Sequence, residues 1–197
     1  MKIIGLTGGY CVGKNEFAST FASFGAIIID VDALGHQALS QAKEVVVKTF
    51  GSDIIDEDGS INRKRLGSIV FSENRVRQLE EILHPLMKQR CIELIEDYRT
   101  KHVKAVVLNA ALLHRMNLDI LCDAICFVTA CMHLRFYRAV RRDNAGLISF
   151  VQRLRAQKDI RIKELEGHAE VFKMTNSRGK RFIHRQVKVF CSTIGIV

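Results

Sequence analysis

Gly8-Gly9-Tyr10-Cys11-Val12-Gly13-Lys14-Asn15 decides how the rest of the chain is read. An apolar run, Ile3-Ile4-Gly5-Leu6, comes before it, and an amphipathic segment, Phe17 to Phe24, comes after it. Strand, glycine turn and helix is the setting in which backbone N–H groups curl around a phosphate and a helix N-terminus adds positive charge. The spacing Gly8-x4-Gly13-Lys14 fits a phosphate-binding loop, with Lys14 placed to cap the outer phosphates. Position 15 departs from that motif. A Ser or Thr hydroxyl belongs there as a magnesium ligand, and the chain has Asn15.

Working outward, residues 2–7 read as a strand and 14–24 as a helix with Phe17, Phe21 and Phe24 on one face. Gly25 is placed to cap that helix. Ala26-Ile27-Ile28-Ile29 predicts a buried strand that delivers Asp30-Val31-Asp32 at its carboxyl end, where open α/β sheets bind ligands. Those two acids either meet a ligand or cap the helix starting near Ala33. Residues 33–50 read as one helix, Asp56 to Ser60 as a turn, and Asn62 as the N-cap of a helix reaching Phe71. A long helical stretch over 73–99 is expected to break or kink at His84-Pro85. Val103–Leu108 and Ala124–Val128 are further buried strands, with a loop and short helix around Leu112–Leu121. From Met132 the chain turns helical and basic, carrying Arg135, Arg138, Arg141, Arg142, Arg153 and Arg155 around a turn at 143–146. Val171–Met174 reads as the last strand, before a basic helix from about Arg178 to Phe190. Short apolar strands alternating with helices predict an α/β fold, a parallel β-sheet flanked by helices and joined by right-handed crossovers.

The 197 residues are 48% hydrophobic and 26% charged, enough for one or two domains with a real core. No apolar run reaches the ~18–20 residues of a membrane span, and the N-terminus has no signal-peptide cleavage pattern. A cytoplasmic protein with no membrane partner is expected. Cysteines 11, 91, 122, 126, 131 and 191 form no Cys-x2-Cys pair, so buried thiols are the better reading than a metal cluster. The formal charge of +9 calls for an acidic partner, either a polyphosphate or a nucleic acid. The basic stretches lack the interleaved aromatics on which bases stack, which argues against nucleic acid.

In this order the residues resemble one family, the dephospho-coenzyme A kinases among the P-loop kinases. Gly5-Leu6-Thr7-Gly8-Gly9 with Gly13-Lys14 resembles the family's N-terminus, and Ile29-Asp30-Val31-Asp32 its Ile-Asp-Ala-Asp segment. Phe50-Gly51, Asp58-Gly59-Ser60, Arg63, Leu66-Gly67, Val70-Phe71 and His84-Pro85-Leu86 follow in order. Leu112-Leu113, Leu118-Asp119 and Cys122-Asp123 resemble the segment after the family's third strand. Arg138, Arg142-Asp143, Arg153 and Gln157 resemble its lid. The resemblance implies a P-loop kinase core (residues 1–32, 101–131 and 165–197), a helical coenzyme-binding insertion (33–100) and a helical lid (132–164). It also implies transfer of the ATP γ-phosphate to the 3′-hydroxyl of dephospho-CoA, with Mg2+ and two small-molecule substrates.

On that reading Gly8, Gly9, Cys11, Val12, Gly13, Lys14, Asn15 and Glu16 hold ATP, and Asp32 orients and deprotonates the ribose hydroxyl. Arg63 and His84 are candidates for the coenzyme's pyrophosphate. Arg138 and Arg142, four apart, share a helix face that closes over ATP, with Arg138 stabilising charge in the transition state. Asn15 is the metal candidate. Several positions depart from the family pattern. Asn15 is an amide in place of a hydroxyl, Glu16 adds negative charge near the α-phosphate, Cys11 replaces a loop glycine, and Asn109 and Ala111 stand where many members carry an acid and a proline. These departures motivate an alternative, a weak or inactive nucleotide- or CoA-binding homologue.

Overall fold

A computed structural model describes residues 1–165 and 167–196. Five strands form one parallel sheet in the order β2-β3-β1-β4-β5: β1 Lys2–Thr7, β2 Ile27–Asp30, β3 Ala105–Asn109, β4 Ala124–Thr129 and β5 Glu170–Thr175. The sheet is the parallel, helix-flanked one that the apolar runs predict. β1 lies at its centre, so Ile3 to Thr7 are buried on both faces, and Ile4 and Leu6 are fully sealed from solvent. At Gly5 the backbone is crowded: a Cβ there would sit 2.6 Å from Leu113 Cδ2.

Helices α1 (Lys14–Ser23) and α8 (Lys180–Thr193) pack together over one face of the sheet. Phe17 and Phe21 meet Ile183, Val187 and Phe190 there, with the Phe21 and Phe190 rings edge-on at 5.6 Å. α1 ends in a Schellman turn. Gly25 has φ 84°, its N–H donates to the Ala22 carbonyl, and Ala26 N–H reaches back to Phe21.

The chain divides into two compact units, Met1–Asp30 with Ile95–Val197, and Val31–Leu94. The first holds the sheet and the basic helices α6 (Met132–Asp143) and α7 (Leu147–Ala156). The second holds α2 (Val31–Gln41), α3 (Lys43–Phe50), α4 (Arg63–Ser72) and most of α5 (Val76–Thr100), around a core that includes Leu39, Ala42, Val46, Phe50, Ile54, Leu66 and Val70. Asn62 caps α4 by accepting from the Lys64 and Arg65 amides.

Three elements differ from expectation. Residues 33–50 form two helices parted at Ala42, yet Ala42 N–H still bonds Ala38 O and its carbonyl still accepts from Val46. One apolar stripe therefore runs through the break. α5 continues through Pro85 rather than breaking; proline removes a single internal N–H there and the helix is long enough to carry that loss. Around Leu112–Leu121 only Asp119–Leu121 is helical, as one 3-10 turn. Among the cysteines, Cys131 is only half-buried, while the other five are buried free thiols.

Candidate active site

The loop after β1 is shaped by positions that only certain residues tolerate. Gly8 has φ 149°, and a Cβ there would lie 2.3 Å from the Val128 carbonyl oxygen on the neighbouring strand. Gly13 has φ 85°, and its Cβ would lie 2.3 Å from Asn176 Nδ2. Cys11 is left-handed too, at φ 57°, a conformation that costs a non-glycine residue about 1–2 kcal/mol. So the position that departs from the family's glycine does need positive φ, and the chain pays for a side chain there.

The backbone carbonyls of the loop are held from outside by cations. Arg138 Nη1 donates to Val12 O at 3.0 Å and to Cys11 O at 3.5 Å. Its Nη2 donates to the Asn176 backbone and side-chain oxygens, both at 3.1 Å, and Asn176 Nδ2 donates to Gly13 O at 3.2 Å. Arg135 Nε donates to Tyr10 O at 2.8 Å. With the carbonyls so engaged and no side chain capping α1, the helix N-terminus opens at the loop as an anion site. Lys14 Nζ rests on Gly8 O at 3.3 Å.

Asn15 Oδ1 accepts from Asn109 Nδ2 at 3.2 Å, joining two positions that depart from the family pattern. Asn109 closes β3, is 5% exposed, and its own Oδ1 is buried with no hydrogen-bond partner. β3 pairs Asn109 with Asp30, the last residue of β2. Glu16 is exposed and lines a cleft of about 620 Å³ together with Lys180 and Arg181.

The other predicted residues are placed as follows. Arg142 does not touch the loop backbone: Nε and Nη2 donate to Asp143 at 2.8 and 3.0 Å, and its guanidinium stacks 5.5 Å from the Tyr10 ring. Arg142 holds the Asp143 carboxyl well below the usual carboxylate range. Asp32 lies exposed in the first turn of α2. Arg63 hydrogen-bonds the His36 ring, and both line a cleft of about 550 Å³ with Lys43, Asp58 and Ser60. His84 is half-buried in α5. Asp32, Arg63 and His84 thus belong to the 31–94 unit, and the loop with Arg138 and Arg142 to the other.

Arg135, Asn176, Tyr10 and Lys43 were not among the sequence candidates. Asn176 carried one readable signal: it is a polar residue at the carboxyl end of a strand, as Asp30 is.

The dephospho-CoA kinase family model matches residues 2–177. Dephospho-CoA kinase of Halalkalibacterium halodurans is 33% identical over 165 residues, 82% of each chain. That of Dehalococcoides mccartyi is 35% identical over 160 residues, 80% of this chain and 81% of its own. The structure of dephospho-CoA kinase from Campylobacter jejuni superposes with a TM-score of 0.69 over all of both chains at 24% identity, a likeness of fold.

Proposed function

The chain belongs to the dephospho-CoA kinase family, whose members are ATP-dependent kinases, and we propose that it transfers the ATP γ-phosphate to the 3′-hydroxyl of dephospho-CoA through the residues described above. One observation carries this reading: the family's pattern spans residues 2–177 and includes a phosphate loop folded to receive an anion.

Phosphoryl transfer needs positioning and charge stabilisation more than covalent help. The loop amides and the α1 N-terminus bind the β- and γ-phosphates, and Lys14 leaves Gly8 O to bridge the outer ones. Asp32 accepts the proton of the ribose hydroxyl and aims its oxygen. Arg63 and Lys43 supply the cations of a cleft suited to the coenzyme's pyrophosphate, with the His36 ring accepting from Arg63 and Asp58 on the same lining, and His84 serves the same unit. Residues 31–94 are the coenzyme-binding region and 132–164 the lid. Arg138 works by keeping the loop in shape, and Arg142 is the lid cation that reaches the nucleotide. Closing the lid keeps water from the γ-phosphate.

Kinases of this kind generally need a divalent metal, and Mg2+ is our assignment. Asn15 and Asn109 offer neutral oxygens, the ligand type a hard cation takes, but no charge. They fit a cation that arrives with the nucleotide's own phosphates. Bound there, Mg2+ would neutralise charge on the transferring phosphate.

The comparisons give no support to the alternative of a weak or inactive binder. ATP and dephospho-CoA suffice as partners for the basic surface. Interior free thiols suit a reducing cytoplasm, and no helix among the described residues is long and apolar enough to cross a membrane. The test is ADP release by the purified protein with and without dephospho-CoA. No coenzyme-dependent ADP at any Mg2+ or Mn2+ concentration sinks the proposal.

A further inference from the structure

Tyr10 belongs to the phosphate loop by sequence, but its side chain is packed into the segment after β4. It is 8% exposed and clusters with Ala139, Ala145 and Phe150, with the Phe150 ring centroid 6.0 Å away. Its hydroxyl donates to Asp143 Oδ2 and accepts from Arg153 Nη1 at 2.7 Å. Arg153 also donates to Asp143 Oδ2 at 2.6 Å. The guanidinium carbons of Arg142 and Arg153 lie 5.5 and 5.0 Å from the ring centroid, within cation–π range.

We propose that Tyr10 is a positioning residue that seats the lid on the phosphate loop and holds Arg142 and Arg153 ready to exchange Asp143 for the nucleotide's phosphates. This rests on the kinase reading above. One carboxylate lies between two guanidiniums, so the cluster carries surplus positive charge beside an anion site. Arg142 and Arg153 are 61% and 49% exposed, open to an incoming anion, whereas the Asp143 side chain is 18% exposed. A guanidinium that leaves Asp143 for a phosphate would normally strand a shielded carboxylate without its partner. The Tyr10 hydroxyl stays bonded to that carboxylate and makes the exchange possible. Burial and the Asp143 bond push the phenol up to about 12, so it keeps its proton throughout the neutral range. Because the loop carries the anchor, the loop and the lid keep one registration while the arginines move.

The test compares wild type with Tyr10→Phe, Tyr10→Leu and Asp143→Asn. Amide hydrogen exchange over residues 132–156 is followed without nucleotide, and KM for ATP and kcat are measured separately. Tyr10→Leu should speed exchange in that segment and raise KM for ATP by about tenfold, the combined worth of a hydrogen bond and ring stacking, with kcat falling less than about threefold. Tyr10→Phe keeps the ring stack, so its effect should be about threefold. Unchanged exchange over 132–156, or a loss confined to kcat, overturns the proposal. If Tyr10→Leu fails to fold, Tyr10→Phe and Asp143→Asn decide it. The exchange measurement needs no turnover, so it judges Tyr10 even if coenzyme-dependent ADP release fails.

Discussion

Asp32 is exposed two residues beyond the end of β2, in the first turn of α2. Replacing it by the isosteric Asn removes the proposed base and keeps the shape. Asp32→Asn should lower kcat by about 10²–10⁴-fold and leave ATP affinity unchanged in calorimetry. A parallel loss of ATP binding would assign the residue to the nucleotide instead. Asn109 gives a second test. Asn109→Asp would turn a carboxylate toward Asn15 Oδ1, replacing a donor–acceptor contact by two facing oxygens. Without metal that variant should lose about 1–3 kcal/mol, and Mn2+ or Mg2+ alone should restore it. The wild-type melting temperature should ignore both cations until ATP is added. Asn15 itself was legible as a departure from the loop motif, because the motif fixes what belongs there. Its partner was not legible: Asn109 lies 94 positions away, and only the pairing of β1 with β3 brings them together.

Among the elements, the phosphate loop and the Schellman turn use left-handed glycines for different reasons. A Cβ on Gly25 (φ 84°) meets nothing within 4 Å, so Gly25→Ala should cost only the strain of its backbone, about 1–2 kcal/mol. On Gly8 it meets the Val128 carbonyl at 2.3 Å, a backbone atom held within the sheet. Gly8→Ala should cost more, exceed about 3 kcal/mol, and abolish ATP binding. Chemical denaturation of the two variants side by side checks the order. Acid tests another junction: Arg115 donates to both Asp159 oxygens, Nε at 2.5 Å and Nη2 at 2.6 Å, tying the segment after β3 to the one after α7. Those bonds lower the Asp159 pKa from 3.8 to about 2. Between those values the unfolded chain takes a proton that the folded protein refuses. The contribution is therefore complete above the unfolded pKa, lost as pH falls toward 2, and a melting-temperature titration of Asp159→Asn should be flatter there than wild type. Strands were the easiest elements to read, since a sheet covered on both faces writes itself as continuous apolar runs. The break at Ala42 left no trace in the sequence, because hydrogen bonds and apolar spacing both pass through it. Pro85 does not break α5 for a complementary reason: a proline deletes one bond, and a helix of 25 residues absorbs the loss.

For the whole molecule, the decisive feature is that the two units have separate cores. Phe21 is sealed in one, against Phe190 and the sheet, and Leu66 is 3% exposed in the other, among Val46, Phe50 and Ile54. The second core was legible only as a helical insertion without strands, residues 33–100, because burial in a helical unit is written only as amphipathic spacing. If the 31–94 unit receives the coenzyme and the sheet receives ATP, damage to one core should weaken one ligand. Leu66→Ala should cost about 2–5 kcal/mol, as large-to-small core changes do. It should also raise KM for dephospho-CoA, while the dissociation constant of a non-hydrolysable ATP analogue stays within about twofold, since the residues proposed to hold that analogue all lie outside 31–94. Phe21→Ala, about 3–5 kcal/mol, should do the reverse, because α1 carries the N-terminus proposed to bind the phosphates. Equal weakening of both ligands by Leu66→Ala would mean that residues 31–94 shape the nucleotide site as well, and the coenzyme assignment of that unit would fall.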